Sequence, residues 1–279
     1  MARLVGGVGC SHVPAVGAAI DRRKTGEPYW APYFAKLEPA RAWMAEVRPD
    51  VCIVVYNDHA SAFSLEVIPT FALGLADEFR PADEGYGPRP VPVVEGHPEL
   101  AWHLAESLII DEFDLTLVNE MPVDHGLTVP LSVMFGQPAA WPSRVIPLCV
   151  NVVQYPPPTG HRCYRLGQAI RRAVDAFEGD ERVVVFGTGG MSHQLQGERA
   201  GFINVGFDTR FLDGLVADPE TVAGIPHVEY LREAGSEGIE LVMWLVMRGA
   251  LGPGVREVYR ATHVPTSNTH NGLLILEEV

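Results

Sequence analysis

The chain has 279 residues, 47% hydrophobic and 20% charged, the balance of a folded protein with a large core rather than a disordered one. Its 21 Lys+Arg against 35 Asp+Glu leave a formal charge of -14, a surface that repels phosphate backbones and excludes a general nucleic-acid binder. Lys24 and Lys36 are its only lysines and lie in a polar early segment, so Schiff-base chemistry, a pyridoxal site and a P-loop lack the placed lysine they need.

In chain order, Leu4–Gly9, Val51–Tyr56, Leu115–Val118, Val145–Val150, Arg182–Phe186 and Leu273–Leu276 read as strands. Several are unbroken Val/Ile/Leu runs, as expected of strands buried on both faces. Helices fall between them. One opens at Glu38-Pro39-Ala40 and stops at Pro49. Another follows His97-Pro98 and repeats Leu100, Leu104 and Leu108 at a spacing of four. A third carries Leu166, Ile170, Ala173 and Phe177 on one face, and a fourth runs from Ser236 through Glu240 to about Arg248. The alternation predicts an α/β fold. The Pro/Gly-rich stretches at 79–92 and 155–160 read as long loops inside one domain over residues 1–279, because too few apolar runs flank them for separate cores.

The N-terminal segment lacks the apolar stretch of a signal peptide. No run reaches the roughly 18 apolar residues of a membrane span, so the expectation is a soluble, cytoplasmic protein. Cys10, Cys52, Cys149 and Cys163 form no CxxC pair. Three of them lie in or beside apolar runs, where cysteine behaves as a small hydrophobe.

Histidine placement carries the functional signal. His12, His59 and His193 each follow a strand, at the end where open α/β sheets bind ligands. One such histidine is usually a hydrogen-bonded loop residue; three in the same position point to convergence. Glu240 sits in a helix apolar on nearly every face, and a buried carboxylate there needs a cation. Two histidines and a carboxylate suit a non-haem Fe(II) oxygenase or a zinc hydrolase, leaving the other histidine for acid/base work. His125, after Asp124, is a further pocket candidate or a loop histidine held by Asp124. Ser236 reads as the cap of the Glu240 helix, and His161 and His270 read as surface residues. Neither a G-x-S-x-G elbow nor a dinucleotide fingerprint is present: Gln194 and His12 stand where the last glycines belong.

Longer stretches extend these signals: SHVPA at 11–15, VYNDHASAF at 55–63, PADEGYGPRPVP at 81–92, GHPELAWH at 96–103, VDHG at 123–126, GTGGMSHQLQGERAG at 187–201, GSEGIELVMW at 235–244 and VPTSNT at 264–269. In these, nearly the whole chain resembles the class III (LigB-type) extradiol ring-cleavage dioxygenases, and among them the catalytic β subunits that act on protocatechuate. The resemblance implies a central mixed sheet flanked by helices. It implies Fe(II) held by His12, His59 and Glu240, with O2 as co-substrate. It makes His193 the acid/base and places His125 and Asn57 near the substrate hydroxyls, with Ser267 and Asn268 at a substrate carboxylate.

The implied reaction opens protocatechuate to 4-carboxy-2-hydroxymuconate semialdehyde, with gallate or 3-O-methylgallate as alternative substrates. The chain ends at Val279, soon after its last strand, so a separate small α subunit in an α2β2 assembly is expected, or else a homodimer. His270-Asn271-Gly272 departs from the smaller apolar residues of the family. The competing classes are a zinc-dependent hydrolase with the same ligands and a non-catalytic LigB-like binding protein.

Overall fold

Val51 to Tyr56 forms a strand near the middle of the molecule, with all six side chains buried. Val51, Ile53 and Val55 enter one apolar core, and Cys52, Val54 and Tyr56 enter another. A period-two strand buried on both faces requires helices on each side of its sheet. The computed structural model describes all 279 residues, apart from the side chains of Pro265 and Thr266 within the VPTSNT stretch.

The elements run β1 (Arg3–Cys10), α1 (Pro14–Asp21), α2 (Ala31–Ala35), α3 (Glu38–Val47), β2 (Val51–Tyr56), β3 (Phe71–Gly74), β4 (Glu78–Phe79), β5 (Val94–Glu95), α4 (Pro98–Ile110), β6 (Thr116–Val118), α5 (His125–Phe135) and β7 (Arg144–Val150). They continue through α6 (Gly160–Ala176), β8 (Arg182–Thr188), α7 (Val205–Ala217), α8 (Pro219–Ala223), α9 (His227–Glu233), a 3-10 turn (Glu237–Leu241), α10 (Val242–Ala250), β9 (Val255–Thr266) and β10 (Thr269–Glu278).

Eight strands form one mixed sheet in the order β6-β3-β7-β2-β8-β1-β10-β9. The centre, β7, β2, β8 and β1, is parallel. β3 turns antiparallel to β7, and β10 antiparallel to β1. Helices α4, α6, α7 and α10 cover one face, while α1, α2, α3 and α5 cover the other. The expected single-domain α/β architecture with a central mixed sheet is the one observed. Among the described residues no helix is long and apolar enough to cross a membrane.

The sequence pattern did not reveal β3 or β9. At the sheet edge Arg256, Glu257 and Arg260 interrupt Val255, Val258 and Tyr259, so no continuous apolar run marks the strand. The helix expected after Ser236 begins instead as the 3-10 turn. Helix α10 lies tight against the sheet because β1 has no side chain at Gly9, where a Cβ would strike the Trp244 ring. Trp244 Nε1 in turn donates to Gly189 O at 3.2 Å. That close seat sets the 3-10 turn at the C-terminal ends of β1 and β8. All four cysteines are free and buried.

Candidate active site

Strands β2, β8 and β1 are adjacent and parallel, so their C-terminal ends open on the same side. His12 and His59 follow β1 and β2, and their rings meet edge to face at 5.2 Å between centroids. His193 follows β8. Glu240 arrives from the 3-10 turn, its Oε2 3.4 Å from His12 Nε2 and 3.8 Å from His193 Nε2. Its Oε1 is 3.9 Å from His59 Nε2. The three histidines expected to converge therefore do so, around one buried carboxylate.

In each imidazole, Nδ1 is already engaged. His12 Nδ1 lies 3.0 Å from Thr188 Oγ1, His59 Nδ1 lies 3.0 Å from Asp124 Oδ2, and His193 Nδ1 donates to Met191 O at 2.7 Å. Tying off Nδ1 fixes the ring and leaves Nε2 for the cleft, the arrangement that orients metal-binding histidines. The Asp58 carboxylate accepts three backbone N–H groups, from Ser61, Ala62 and Phe63, and so shapes the loop that carries His59.

Glu240 has no lysine or arginine partner among the described residues, and Gly190 N donates to its Oε2 at 2.6 Å. Burial pushes its carboxyl group up, but the charges and hydrogen bonds of His12, His59 and His193 outweigh burial and hold it well below the usual range. His59 shows the converse. Burial lowers it, yet Asp124 and Glu240 raise it from 6.5 to about 10. Asp124, buried beside His59, is brought down to about 2, because His59 and His125 overcome the desolvation that would raise it. Nitrogen donors around a buried carboxylate with no lysine or arginine partner among the described residues suit a divalent metal ion. His12, His59 and His125 also bring one ring nitrogen each within 4.8 Å of one another.

His125 stacks on His59 with centroids 3.9 Å apart. His125 is not a loop histidine held by Asp124, but the first residue of α5. Asp124 caps α5 through Gly126 N and reaches across to His59, whereas Glu84 from the Pro/Gly-rich loop holds the His125 ring at Nδ1. Burial and the neighbouring His59 push His125 below its ordinary value. Asn57 is fully buried, with Nδ2 3.0 Å from His59 Nε2; a metal at that nitrogen competes with the amide.

These groups open on a cavity of about 510 Å³, lined by His12, His59, His125, His193, Glu240, Ser267 and Thr269, with Val152, Val153, Leu195 and Ile239 as apolar walls. This is the size and polarity of a small-molecule site. Among the described residues no lysine or arginine lines it. Ser267 and Asn268 are the two turn residues between β9 and β10, with φ of 52° and 60°, a pairing that fits a tight hairpin turn. Ser267 faces the cavity; Asn268 is not part of its lining. The Ser236 side chain does not cap the helix; it donates to Glu237 instead.

Residues 6–271 match the family described as the catalytic LigB subunit of aromatic ring-opening dioxygenase. The chain belongs to the LigB family. It is 43% identical over 196 residues to a gallate dioxygenase of Pseudomonas putida, a match covering 70% of this chain and 57% of that protein. It is 32% identical to a 2,3-dihydroxyphenylpropionate/2,3-dihydroxicinnamic acid 1,2-dioxygenase of Mycolicibacterium paratuberculosis, over 57% of this chain and 48% of that protein. The chain thus spans about half the length of these relatives. An uncharacterized protein of Escherichia coli K12 shares the fold, with a TM-score of 0.57 at 15% identity over 99% of this chain and 100% of that one.

Within this LigB chain, sequence reasoning missed Glu84, Thr188 and Asp208. It also placed His270 at the surface. His270 is buried, 1% exposed, with Nδ1 2.6 Å from Asp208 Oδ2. Its neighbours in sequence are polar, and its partner lies 62 positions away, so no local pattern marks it. His161 is exposed as expected.

Proposed function

We propose that this chain catalyses Fe(II)-dependent extradiol cleavage of a catechol that bears a ring carboxylate, with O2 as co-substrate. The observation that carries this reading is the convergence of His12, His59 and Glu240, each imidazole anchored at Nδ1, on the floor of a cavity that also presents His193 and His125. His12, His59 and Glu240 would hold the metal. Ferrous iron bound there would supply a centre at which the catechol and O2 exchange electrons.

The chain's own residues supply the rest. His193 Nε2 faces the cavity, with Nδ1–H committed to Met191 O, so it is the atom that takes a phenolic proton and returns it during ring opening. His125, fixed by Glu84, orients the second hydroxyl. Ser267 Oγ and the backbone of the β9–β10 turn anchor the carboxylate without help from a cationic side chain. The apolar walls keep water from the reacting ring. Similarity to a gallate dioxygenase favours gallate over protocatechuate as the substrate.

The cavity mouth exposes Leu195 at 52% and Val153 at 49%. That apolar rim supports a second, small polypeptide covering the cavity, and co-purification tests it against a homodimer. The main test is O2 uptake by the anaerobically Fe(II)-reconstituted chain with gallate, protocatechuate and 3-O-methylgallate in parallel, with and without a candidate small subunit. Uptake with a ring-opened product is the expected result. Bound iron with no uptake in any arm removes these three substrates, and no iron binding removes the dioxygenase reading.

A further inference from the structure

Behind His193, away from the cavity, two side chains from different parts of the chain, Ser192 and His270, share the buried carboxylate of Asp208. Asp208, on the first turns of α7, is 0% exposed and has no lysine or arginine partner among the described residues. It accepts the Ser192 N–H at 3.0 Å, the Ser192 hydroxyl, and Nδ1–H of His270 at 2.6 Å. Asn204 N, at the cap of α7, donates to Ser192 Oγ at 2.7 Å.

Two backbone bonds run beside this cluster. Met191 N donates to His270 O at 3.1 Å, and His270 N donates to Ser192 O at 3.2 Å. His193 itself forms an isolated bridge with Thr269. The segment 191–193 is therefore joined to the start of β10, and Asp208 pins the joint to α7. The two ends of this joint carry the groups that face the cavity: His193 on one side, Ser267 and Thr269 on the other.

His270 Nε2 is buried without a hydrogen-bond partner among the described residues. A buried unpaired ring nitrogen costs stability that an apolar residue would not, and such a cost in a folded protein calls for a compensating role.

We propose that Asp208 and His270 are positioning residues, a buried clamp that fixes the distance between the His193 loop and the β9–β10 turn. The clamp touches neither substrate nor metal and acts through the Met191–His193 backbone. It rests on the functional reading above only for its effect on turnover. Its effect on the loop is independent of that reading.

The test compares His270→Leu with His270→Asn in the metal-loaded protein. The asparagine amide retains a donor where Nδ1–H stood; leucine does not. Hydrogen exchange followed by mass spectrometry should run about tenfold faster or more in H270L over residues 190–195 and 267–271, and stay near wild type in H270N. In H270L, kcat should fall about 100-fold with bound metal per chain unchanged, and H270N should recover most of it. Unchanged exchange in H270L overturns the clamp, as does equal loss in both variants, or faster exchange with undiminished kcat. Should H270L not fold, Asp208→Asn, which changes little volume, carries the same comparison. If the wild-type chain consumes no O2 with any catechol, the functional reading fails and the exchange measurement alone decides the clamp.

Discussion

Asp124 Oδ2 accepts two bonds from His59: the backbone N–H at 2.6 Å and the ring Nδ1–H at 3.0 Å. One carboxylate thus sets both the position and the tautomer of a histidine 65 residues away. Outer partners of this kind control metal affinity. Asp124→Asn should weaken metal binding about 10- to 100-fold, read by competition with a chromophoric chelator. Wild-type affinity in the variant would remove Asp124 from that role.

The same pair sets a pH dependence in the metal-free protein. His59 is raised to about 10 and Asp124 lowered to about 2. The His59 contribution to stability is complete below its unfolded value near 6.5. It declines as pH rises and is gone above about 10. The Asp124 contribution is present above about 4 and is lost as pH falls towards 2. Metal must displace the His59 proton, so affinity should rise by about tenfold per pH unit between 6.5 and 8.5. A flat affinity over that range would exclude His59 as a ligand.

Ligand and acid/base roles separate by metal content. His193→Ala should keep iron and lose about 10²- to 10⁴-fold in kcat. Glu240→Ala or His12→Ala should lose iron itself, measured by elemental analysis after desalting. Stoichiometric iron in either ligand variant would break the assignment, and near-normal turnover by His193→Ala would break the other.

Gly189 has φ of 126°, and a Cβ there would come within 2.7 Å of Glu240 Cβ. Gly189→Ala combines backbone strain with displacement of a carboxylate. It should destabilise the fold by about 1–3 kcal/mol and lower metal affinity with it. A thermal melt with and without metal reads both, and an unshifted melting temperature would contradict the packing described.

Ser267 distinguishes substrates by their carboxylate. Ser267→Ala should raise KM for gallate or protocatechuate about tenfold, while plain catechol, which has no carboxylate, keeps its KM. Equal effects on both would assign Ser267 to the shape of the turn.

The central parallel strands and helices α3, α4 and α6 were readable because their signals are local. Val51–Tyr56 is an unbroken apolar run, and α4 repeats leucine every four residues. His12, His59 and His193 were readable because each stands just past such a run. Edge strand β9 was not, since Arg256, Glu257 and Arg260 interrupt its apolar residues. Glu84, Asp208 and the burial of His270 were not legible either. Each depends on a partner brought close only by the completed fold, 41 positions away for Glu84 and His125 and 62 for Asp208 and His270. Asp124 was noticed beside His125 in sequence, yet serves His59, because the cap of α5 turns its carboxylate toward the end of β2.

The lining of the cavity also bears on what leaves it. In the proposed reaction, ring opening turns one phenolic carbon into a carboxylate, so the product carries one more negative charge than the substrate. With Glu240 given to the metal, the walls still hold Glu237, and among the described residues no lysine or arginine. Away from the metal ligands, a monoanion is retained by hydroxyl and backbone donors, whereas the second carboxylate of the product meets the like charge of Glu237 with no lysine or arginine among the described lining residues to neutralise it. The same poverty of cations that weakens substrate capture favours product release, and turnover should be limited less by departure than by arrival.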